Sequence, residues 1–565
     1  MRQWLLCGAL SALSLTIGEG PSQTAGQAPT RADAAISGVV TDAATKQPIA
    51  EAIVSLGTLA VREYPETRTR QFTDSKGRFA FADLPSGVYS ISVAKPGYLD
   101  GAYGRVESRA EVLGLIVLTD GRWFANANVT MTRPGSVSGT VLDERGEPFV
   151  GVYVRLLTQV WAAGHARLAV GPITTTDDRG MYRIGKLMPG RYNVMVPSVQ
   201  IATRAATSMA RAGASPGPAP EPAIDIDSST RLLVGRYATP PPSVDGQAFA
   251  YPAAFAGGVT VAQATAVEVV SGSERSGINV RLDPVPAFRV SGMVDGPLEA
   301  RSNVMLRLLP AGLEDLGFGA ETGTAFVAPD GTFVFAGVPA GTYLIDAPVA
   351  VNQYAFGGGA FSIFYAPQLP QPPGLTGLST FNGPVAGSAG ASFSSSRLRA
   401  SGYWGRATVV VSGRHESGVV VALRPAAKLT GRIVAEIDPS YPTPPTPARY
   451  VSLEAATGDV WLGDPRSVYS RDMPTDQFAI DGVLPGRYVF RGESSGWVIK
   501  SVVFAGRDYT FTPIDVSNGQ DLTDGVVTFT NAAPLLSGTV RDSSGSPAAE
   551  AAVIVFPVER EQWTD

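Results

Sequence analysis

The stretch LPSGVYSISV, residues 84–93, combines a proline–glycine bend with an alternating strand pattern. Proline holds φ at about −65° and has no amide hydrogen, and the glycine that follows lets the backbone reverse direction. Tyr89, Ile91 and Val93 then alternate with serines, which is the period of a strand with one buried face. The stretch therefore predicts a tight corner that leads directly into a half-buried β-strand.

The same corner occurs three more times, as LMPGRYNVMV (187–196), VPAGTYLIDA (338–347) and LPGRYVFRG (484–492). A tyrosine lies two residues after the glycine in every copy, at positions Tyr89, Tyr192, Tyr343 and Tyr488. We predict that these tyrosines are core or corner residues whose hydroxyl groups bond to the backbone.

Each corner is preceded by an opening strand that contains a Ser-Gly or Thr-Gly pair. Five such openings are present: ISGVVTD at Ile36, VSGTVLD at Val137, VSGMVDG at Val290, LTGRIVA at Leu429 and LSGTVRD at Leu536. In the first three copies an Asp-Gly hairpin signal lies between the opening and the corner, in TDSKGRFAF (73–81), TDDRGMYRI (176–184) and APDGTFVF (328–335). One fold is therefore repeated along the chain.

The repeated pattern of short alternating strands predicts an all-β protein, built as a string of four two-sheet β-sandwiches plus a truncated fifth. Two inserts, rich in Ala/Pro and in Gly/Ser, predict long mobile loops within the second and third sandwiches. The expected boundaries are a signal peptide at 1–28 and sandwiches at 29–133, 134–286 (insert 205–242), 287–425 (insert 356–402), 426–533 and 534–565. These five segments are called the first to fifth repeats below.

The N-terminus predicts export. Residues 1–28 contain one arginine, an apolar run of about a dozen residues and a small-residue exit, which is the layout of a secretory signal. The only cysteine, Cys7, lies inside this segment. Later apolar stretches fall short of the ~20 residues that a membrane-spanning helix needs, so no transmembrane span is expected. We predict a periplasmic, outer-surface or extracellular protein.

Charged residues make up 17% of the chain and the net charge is −5. No cluster of lysine and arginine forms a stripe suited to phosphate, so nucleic acid is not an expected partner.

The ordered motifs resemble the carboxypeptidase regulatory-like domain. The Ser-Gly opening, the Asp-x-x-Gly-x-Phe/Tyr hairpin and the Leu-Pro-x-Gly-x-Tyr corner are similar to those of this transthyretin-like (prealbumin-like) sandwich, which is also grouped with carbohydrate-binding-like folds. Tandem copies behind a signal peptide resemble bacterial envelope proteins of the Acidobacteria type. The resemblance implies the fold and an accessory role, and it supplies no catalytic residue.

We predict that the protein is not an enzyme and holds no cofactor or metal. Its two histidines, His165 and His415, lie in different repeats without a zinc-ligand motif, and we expect both in loops. Carboxylates that recur at the hairpins suit either calcium binding or turn capping, and the low number at each site favours capping. These carboxylates are Asp74, Asp177, Asp178, Asp330 and Asp476.

One aromatic residue per repeat follows the second strand pattern, where we expect a loop: Tyr64, Trp161, Phe318 and Trp461. These four are the candidate ligand-binding residues, and the alternative is that they seal the edge of each sandwich. Trp123 flanks a strand and is interpreted as structural. The sequence thus predicts a non-catalytic binding protein of the envelope, with polysaccharide as the first partner and an envelope protein as the second. The alternatives are an architectural spacer or adhesin stalk and an accessory to a hydrolase.

Overall fold

The computed structural model describes most of the chain outside the N-terminus and the two inserts. The described residues are 34–58, 69–105, 114–118, 121–162, 165–204, 223–225, 230–233, 236–301, 304–316, 320–347, 403–440, 451–457, 476–492, 497–532, 538–546, 548, 553–556 and 558–559. The predicted signal peptide and the Gly/Ser-rich insert lie outside them.

The first repeat forms two facing sheets. One sheet has the order β4-β1-β8, with β9 also beside β1, and the other has the order β3-β2-β5-β6, with β7 also beside β5. Apolar residues from both sheets form a single core. The strands are β1 (Ala34–Asp42), β2 (Ile53–Thr58), β3 (Thr69–Phe72), β4 (Arg78–Leu84), β5 (Gly87–Ala94), β6 (Gly101–Ala102), β7 (Ile116–Leu118), β8 (Trp123–Phe124) and β9 (Val129–Met131).

The second repeat has the same plan. One sheet has the order β13-β10-β21, with β22 also beside β10, and the facing sheet has the order β12-β11-β14-β19, with β20 also beside β14. A 3-10 helix (Val261–Gln263) precedes β20. The strands are β10 (Gly135–Leu142), β11 (Tyr153–Ala162), β12 (His165–Thr175), β13 (Met181–Leu187), β14 (Gly190–Val196), β15 (Gln200–Arg204), β16 (Ala223–Asp225), β17 (Thr230–Leu233), β18 (Ala248–Ala250), β19 (Ala254–Phe255), β20 (Val267–Val269), β21 (Glu274–Arg275) and β22 (Val280–Arg281).

The third repeat takes up strands from the second. Strand β15 pairs in parallel with β25 and carries β17 and β16 outward, while β18 pairs with β23. The short helix α1 (Leu298–Arg301) and a 3-10 helix (Glu314–Leu316) lie between its strands. The strands are β23 (Val285–Asp295), β24 (Met305–Pro310), β25 (Gly323–Phe326), β26 (Thr332–Pro339), β27 (Gly341–Ala347), β28 (Tyr403–Val411) and β29 (Glu416–Pro425). The prediction that insert 205–242 is a loop is therefore wrong for β16 and β17.

The fourth repeat again has two sheets, with the orders β32-β30-β37-β34-β35 and β31-β33-β36. Its core contains the fully buried Tyr488 and Phe529. The strands are β30 (Ala427–Glu436), β31 (Val451–Ala455), β32 (Gln477–Val483), β33 (Arg487–Gly492), β34 (Val498–Phe504), β35 (Arg507–Asp508), β36 (Ile514–Asp515) and β37 (Leu522–Thr530).

The described part of the fifth repeat contains a turn but no strand. The Gly545 amide donates to the Asp542 carbonyl at 3.0 Å, and the Asp542 side chain accepts from the Ser544 and Ser546 amides at 2.9 and 3.0 Å. The opening strand predicted from Leu536 is not formed over the described residues 538–542. The prediction of a strand there was wrong.

The opening glycines are explained by a close approach of the returning strand. A Cβ built on Gly139 would lie 1.9 Å from the Ile278 carbonyl oxygen, and one on Gly38 would lie 2.3 Å from the Ala127 carbonyl oxygen. Glycine is required at this position because any side chain would displace the neighbouring backbone. The third and fourth repeats place the Val419 and Gly525 carbonyl oxygens 1.9 and 2.1 Å from the equivalent points on Gly292 and Gly431.

The prediction for the corner tyrosines is confirmed. Each hydroxyl group donates a hydrogen bond to the carbonyl four residues earlier, and each ring is buried. The bonds are Tyr89 to Pro85 (2.7 Å), Tyr192 to Met188 (2.8 Å), Tyr343 to Pro339 (3.0 Å) and Tyr488 to Leu484 (2.7 Å). The hydroxyl group thus satisfies a carbonyl that the bend removes from the sheet.

The residue six positions before each corner tyrosine has a left-handed backbone. Asp83 and Lys186 have φ of 55° and 57°, and Gly337 and Gly482 have φ of 70° and 76°. These residues lie beside the point where each opening strand shifts register against its hairpin partner. The bulge and the corner are therefore one repeated local structure.

The predicted all-β class and the sandwich architecture are confirmed. Because β15 to β18 of the second repeat lie in the sheet of the third, the division of the chain into four separate sandwiches stays a prediction. Among the residues described, no helix is long and apolar enough to cross a membrane.

Candidate functional site

The four aromatic residues predicted to bind ligand are not brought together by the described structure. Tyr64, Phe318 and Trp461 lie outside the described residues. Trp161 lies in β11, where its backbone pairs with Ala166 of β12. The expectation of a loop at Trp161 was wrong, because β11 and β12 form a long hairpin that extends through this position. A ligand-binding role for these residues stays a prediction.

Three of the five hairpin carboxylates cap turns, as predicted. The Asp74 carboxylate accepts from the backbone amides of Lys76 and Arg78, both at 2.8 Å. These amide bonds, with the Arg78 side chain, lower the pKa of Asp74 although it is exposed. Asp177 and Asp330 accept from amides two residues later, at 2.9 and 3.0 Å. These amide bonds stabilise the hairpin turns.

The two histidines lie at different kinds of position. His165 begins β12, so its predicted loop position was wrong. His415 lies in a turn, where its Nδ1 accepts from the Arg289 amide at 3.0 Å and its ring packs edge-on against Phe288. His415 therefore secures the start of β23 in the third repeat.

Trp123 is exposed on the outer face of the first repeat. Its side chain is 67% accessible to solvent although it lies within a strand. The indole Nε1 donates a hydrogen bond to the Ser37 hydroxyl oxygen at 2.9 Å. The ring is thus held in one orientation while much of its surface remains open. Sequence reasoning assigned Trp123 a structural role, because the flanking pattern does not reveal which side of β8 faces outward.

Asp42 organises the end of β1. Its carboxylate is buried and accepts from the Ala44 and Thr45 amides (both 2.9 Å), the Tyr98 hydroxyl (3.0 Å) and Arg133 Nε (2.8 Å). Burial alone would raise the pKa of Asp42, but the four donors outweigh it and hold the pKa well below its usual range. Because Arg133 immediately precedes the second repeat, this cluster anchors the link between the first two repeats.

An apolar cluster joins the second and third repeats. Leu157, Val170, Met195 and Phe255 of the second repeat pack with Leu316 and Ala320 of the third. The hairpin of β11 and β12 also extends to the fourth repeat, where Arg167 Nη2 donates to the Thr457 carbonyl at 2.7 Å. Neither contact follows from the repeat pattern, which describes each unit separately.

A buried charge cluster lies beside this junction. Arg307 Nε is 3.1 Å from Glu321 Oε1 and Arg307 Nη1 is 3.6 Å from Asp346 Oδ2, while Arg406 Nε is 2.9 Å from Asp346 Oδ1. Arg155 of the second repeat is also buried; burial lowers its pKa, and Glu321 of the third repeat acts in the opposite direction. Buried charged side chains therefore lie on both sides of the junction.

Comparison with known proteins identifies the repeated unit. Residues 35–112 and 136–216 match the family model described as the carboxypeptidase regulatory-like domain. No curated protein matches the chain in sequence.

Solved structures similar to this chain include pilins. The minor pilin GBS52 of Streptococcus agalactiae is 14% identical, with 45% of this chain and 96% of that chain covered and a TM-score of 0.20. A streptococcal ancillary pilin is 15% identical, with 55% and 89% covered and a TM-score of 0.16. The shaft pilin SpaA of Lactobacillus rhamnosus GG is 11% identical, with 45% and 98% covered and a TM-score of 0.17. TM-scores this low do not establish a shared arrangement of domains.

The two sequence matches coincide with the first two sandwiches, and they confirm the resemblance drawn from the opening, hairpin and corner motifs. The first two repeats therefore each carry a match to the carboxypeptidase regulatory-like domain, in tandem.

Proposed function

We propose that the protein is an exported, non-catalytic spacer of the cell envelope that holds its sandwiches in a fixed arrangement. The observation that carries this proposal is the parallel pairing of β15 with β25, by which a strand from the second repeat joins the sheet of the third. Export rests on the signal-like N-terminus.

Backbone pairing between strands of neighbouring repeats resists bending better than side-chain contacts alone. Domains in one chain usually move relative to each other unless their interface is large and apolar. Here β15 and β18 each pair with a strand of the third repeat, and the cluster around Phe255 and Leu316 adds apolar burial. Bending at this junction would break backbone hydrogen bonds and expose the buried Arg307 and Glu321.

Distance measurements between spin labels on the full chain test the proposal. Cysteines replace the exposed Arg179 and Arg414, on the second and third repeats, in a chain that carries Cys7→Ser. We expect one narrow distance distribution by pulsed electron paramagnetic resonance. Ala202→Pro, which removes an amide in the middle of β15, should broaden it. A broad distribution in the parent chain would refute the spacer proposal.

Carbohydrate binding is a second candidate function, with a polysaccharide as the first partner and an envelope protein as the next. It is supported by the exposed and oriented indole of Trp123. Tyr64, Trp161, Phe318 and Trp461 remain proposed ligand-binding residues. Truncating each of the four to alanine, and measuring polysaccharide binding by the full chain, tests their role. Retained binding in all four variants would exclude them.

A further inference from the structure

The outer face of the first repeat carries a row of side chains with different chemistry. Ser37 and Val39 of β1 point outward, since Ile36, Gly38 and Val40 between and beside them are buried. In register, Ser37 pairs with Ala80 and Val39 pairs with Arg78 of β4. Ser37, Val39, Ala80 and Arg78 therefore form the protein surface next to the exposed indole.

The indole lies along this surface. Trp123 pairs in parallel with Ala35, yet its Nε1 bonds to Ser37, two residues further along β1. The ring must therefore extend along the strand from Ala35 towards Ser37. With the N–H group engaged by Ser37 and the side chain 67% exposed, one ring face is presented to solvent.

A charged pair lies at the far end of the row. Arg78 Nε and Nη2 are each 2.8 Å from Asp74 Oδ2. A strand rises about 3.3 Å per residue, so the cross-strand pair of Val39 and Arg78 lies about 7 Å from Ser37 along β1. That interval is about the width of one six-membered sugar ring.

We propose that this row binds a polysaccharide, with one pyranose ring stacked on Trp123 and the hydroxyl groups of the next ring bonded to Arg78 and Asp74. The proposal rests on the carbohydrate-binding candidate above and gives it a site. A pyranose has an apolar C–H face that suits an aromatic ring, and its hydroxyl groups both donate and accept, as an arginine–carboxylate pair requires.

The size of the apolar patch favours a sugar over a protein. Trp123 is the one large apolar side chain that is highly exposed on this face among the described residues of the first repeat; Ile53, Phe72 and Val117 belong to the other sheet, and Leu115 immediately precedes β7 of that sheet. A stable protein interface buries about 800 Å² on each partner around an apolar centre. A single indole surrounded by small residues is too small to form the apolar centre of such an interface.

The second, third and fourth repeats have glutamate, histidine and aspartate at this position. Glu274 is in register with Ser136, the equivalent of Ala35. His415 and Asp521 use side-chain atoms to accept from the amides of Arg289 and Lys428 at the same point in the third and fourth repeats. The indole is thus not needed to complete the fold at this position, which leaves its surface free for a ligand.

Binding of oligosaccharides to the full chain tests the proposal. The probes are short oligomers of cellulose, xylan, chitin, mannan and laminarin, measured by isothermal titration calorimetry and affinity electrophoresis. Trp123→Ala removes the stacking surface. Trp123→Phe keeps an aromatic face but loses the bond to Ser37. Phe72→Ala is the matched control, since Phe72 is 69% exposed on the other sheet of the same repeat.

We expect Trp123→Ala to weaken binding of at least one probe by about tenfold or more, Trp123→Phe to weaken it less, and Phe72→Ala to leave it unchanged. Thermal unfolding of the variants, which should match the parent, separates lost binding from lost structure. If the parent binds a probe and Trp123→Ala binds it equally well, the site is overturned while carbohydrate binding stands. If the parent binds none of the probes, both are overturned and the spacer proposal is unaffected.

Discussion

Replacing Gly139 with alanine should open one edge of the second repeat. The new Cβ would lie 1.9 Å from the Ile278 carbonyl oxygen and 2.5 Å from its carbonyl carbon. Both atoms belong to the backbone, so no side-chain rotation relieves the overlap. The segment around Ile278 must therefore move away from β10 by about 1 Å or more, since non-bonded carbon atoms attract optimally at about 3.5–4.0 Å.

The cost follows from the hydrogen bonds that hold this segment. The Ile278 amide donates to the Ser138 carbonyl at 3.0 Å, the Thr140 amide donates to Asn279 Oδ1 at 2.9 Å, and the Tyr182 hydroxyl donates to the Ile278 carbonyl at 2.6 Å. At about 1 kcal/mol each, losing all three lowers the free energy of local opening by about 3 kcal/mol. This corresponds to about a 100-fold rise in the open population.

Hydrogen exchange of the full chain, followed by mass spectrometry, measures this effect locally. Peptides that cover β10 and β22 should lose about 100-fold in protection in Gly139→Ala. Gly146→Ala is the control: Gly146 also lies in the second repeat, with φ of 81° and nothing within 4 Å of an added Cβ, so only the left-handed backbone penalty of about 1 kcal/mol applies. Parental protection of both peptides in Gly139→Ala would refute the close-approach argument.

Three further predictions concern single side chains. Tyr343→Phe should destabilise the third repeat by about 1 kcal/mol at pH 8, by removing the bond to Pro339. Burial raises the pKa of Tyr343 to about 12, against about 10 when unfolded. Its contribution to the stability of the third repeat is therefore complete below pH 10 and lost between pH 10 and 12. Calorimetry should accordingly find that the variant loses less stability than the parent over this alkaline range. Lys186→Gly should raise the melting temperature of the second repeat, with a gain of about 0.5–1 kcal/mol from relief of the positive φ, and an unchanged or lower value would contradict this. Asp42 has a lowered pKa, so it stabilises the first repeat above pH ~4 and loses this effect as the pH falls through its folded pKa. Asp42→Asn should therefore lower the free energy of unfolding by about 1–3 kcal/mol at pH 7 and flatten the acid dependence of urea unfolding. An equally steep acid dependence in the variant would argue against the cluster.

The local structure of each repeat could be predicted because its causes are local. The bend at Pro85 and Gly87, the alternation after Tyr89 and the capping by Asp74 each depend on residues within a few positions. The left-handed residue Lys186 was not predictable in this way, because lysine carries no preference for positive φ and the bulge around it arises from register with β10.

The contacts between repeats depend on residues that are distant in sequence, so no local sequence pattern predicts them. Thr230–Leu233 lies in an insert whose composition favours a loop, yet β17 is held by pairing with β15, which itself pairs with β25. The orientation of Trp123 likewise depends on Ser37, which is 86 residues away in sequence. Partners this distant cannot be found from a periodic pattern.

The parallel placement of the first and last strands has a mechanical consequence. In the first repeat β1 and β9 run side by side in the same direction, as do β10 and β22, β23 and β29, and β30 and β37 in the later repeats. A pull on the two ends of such a unit slides these strands lengthwise past each other. The ladder bonds are then loaded together instead of being peeled apart one after another, so each unit should withstand tension along the chain far better than its modest size suggests.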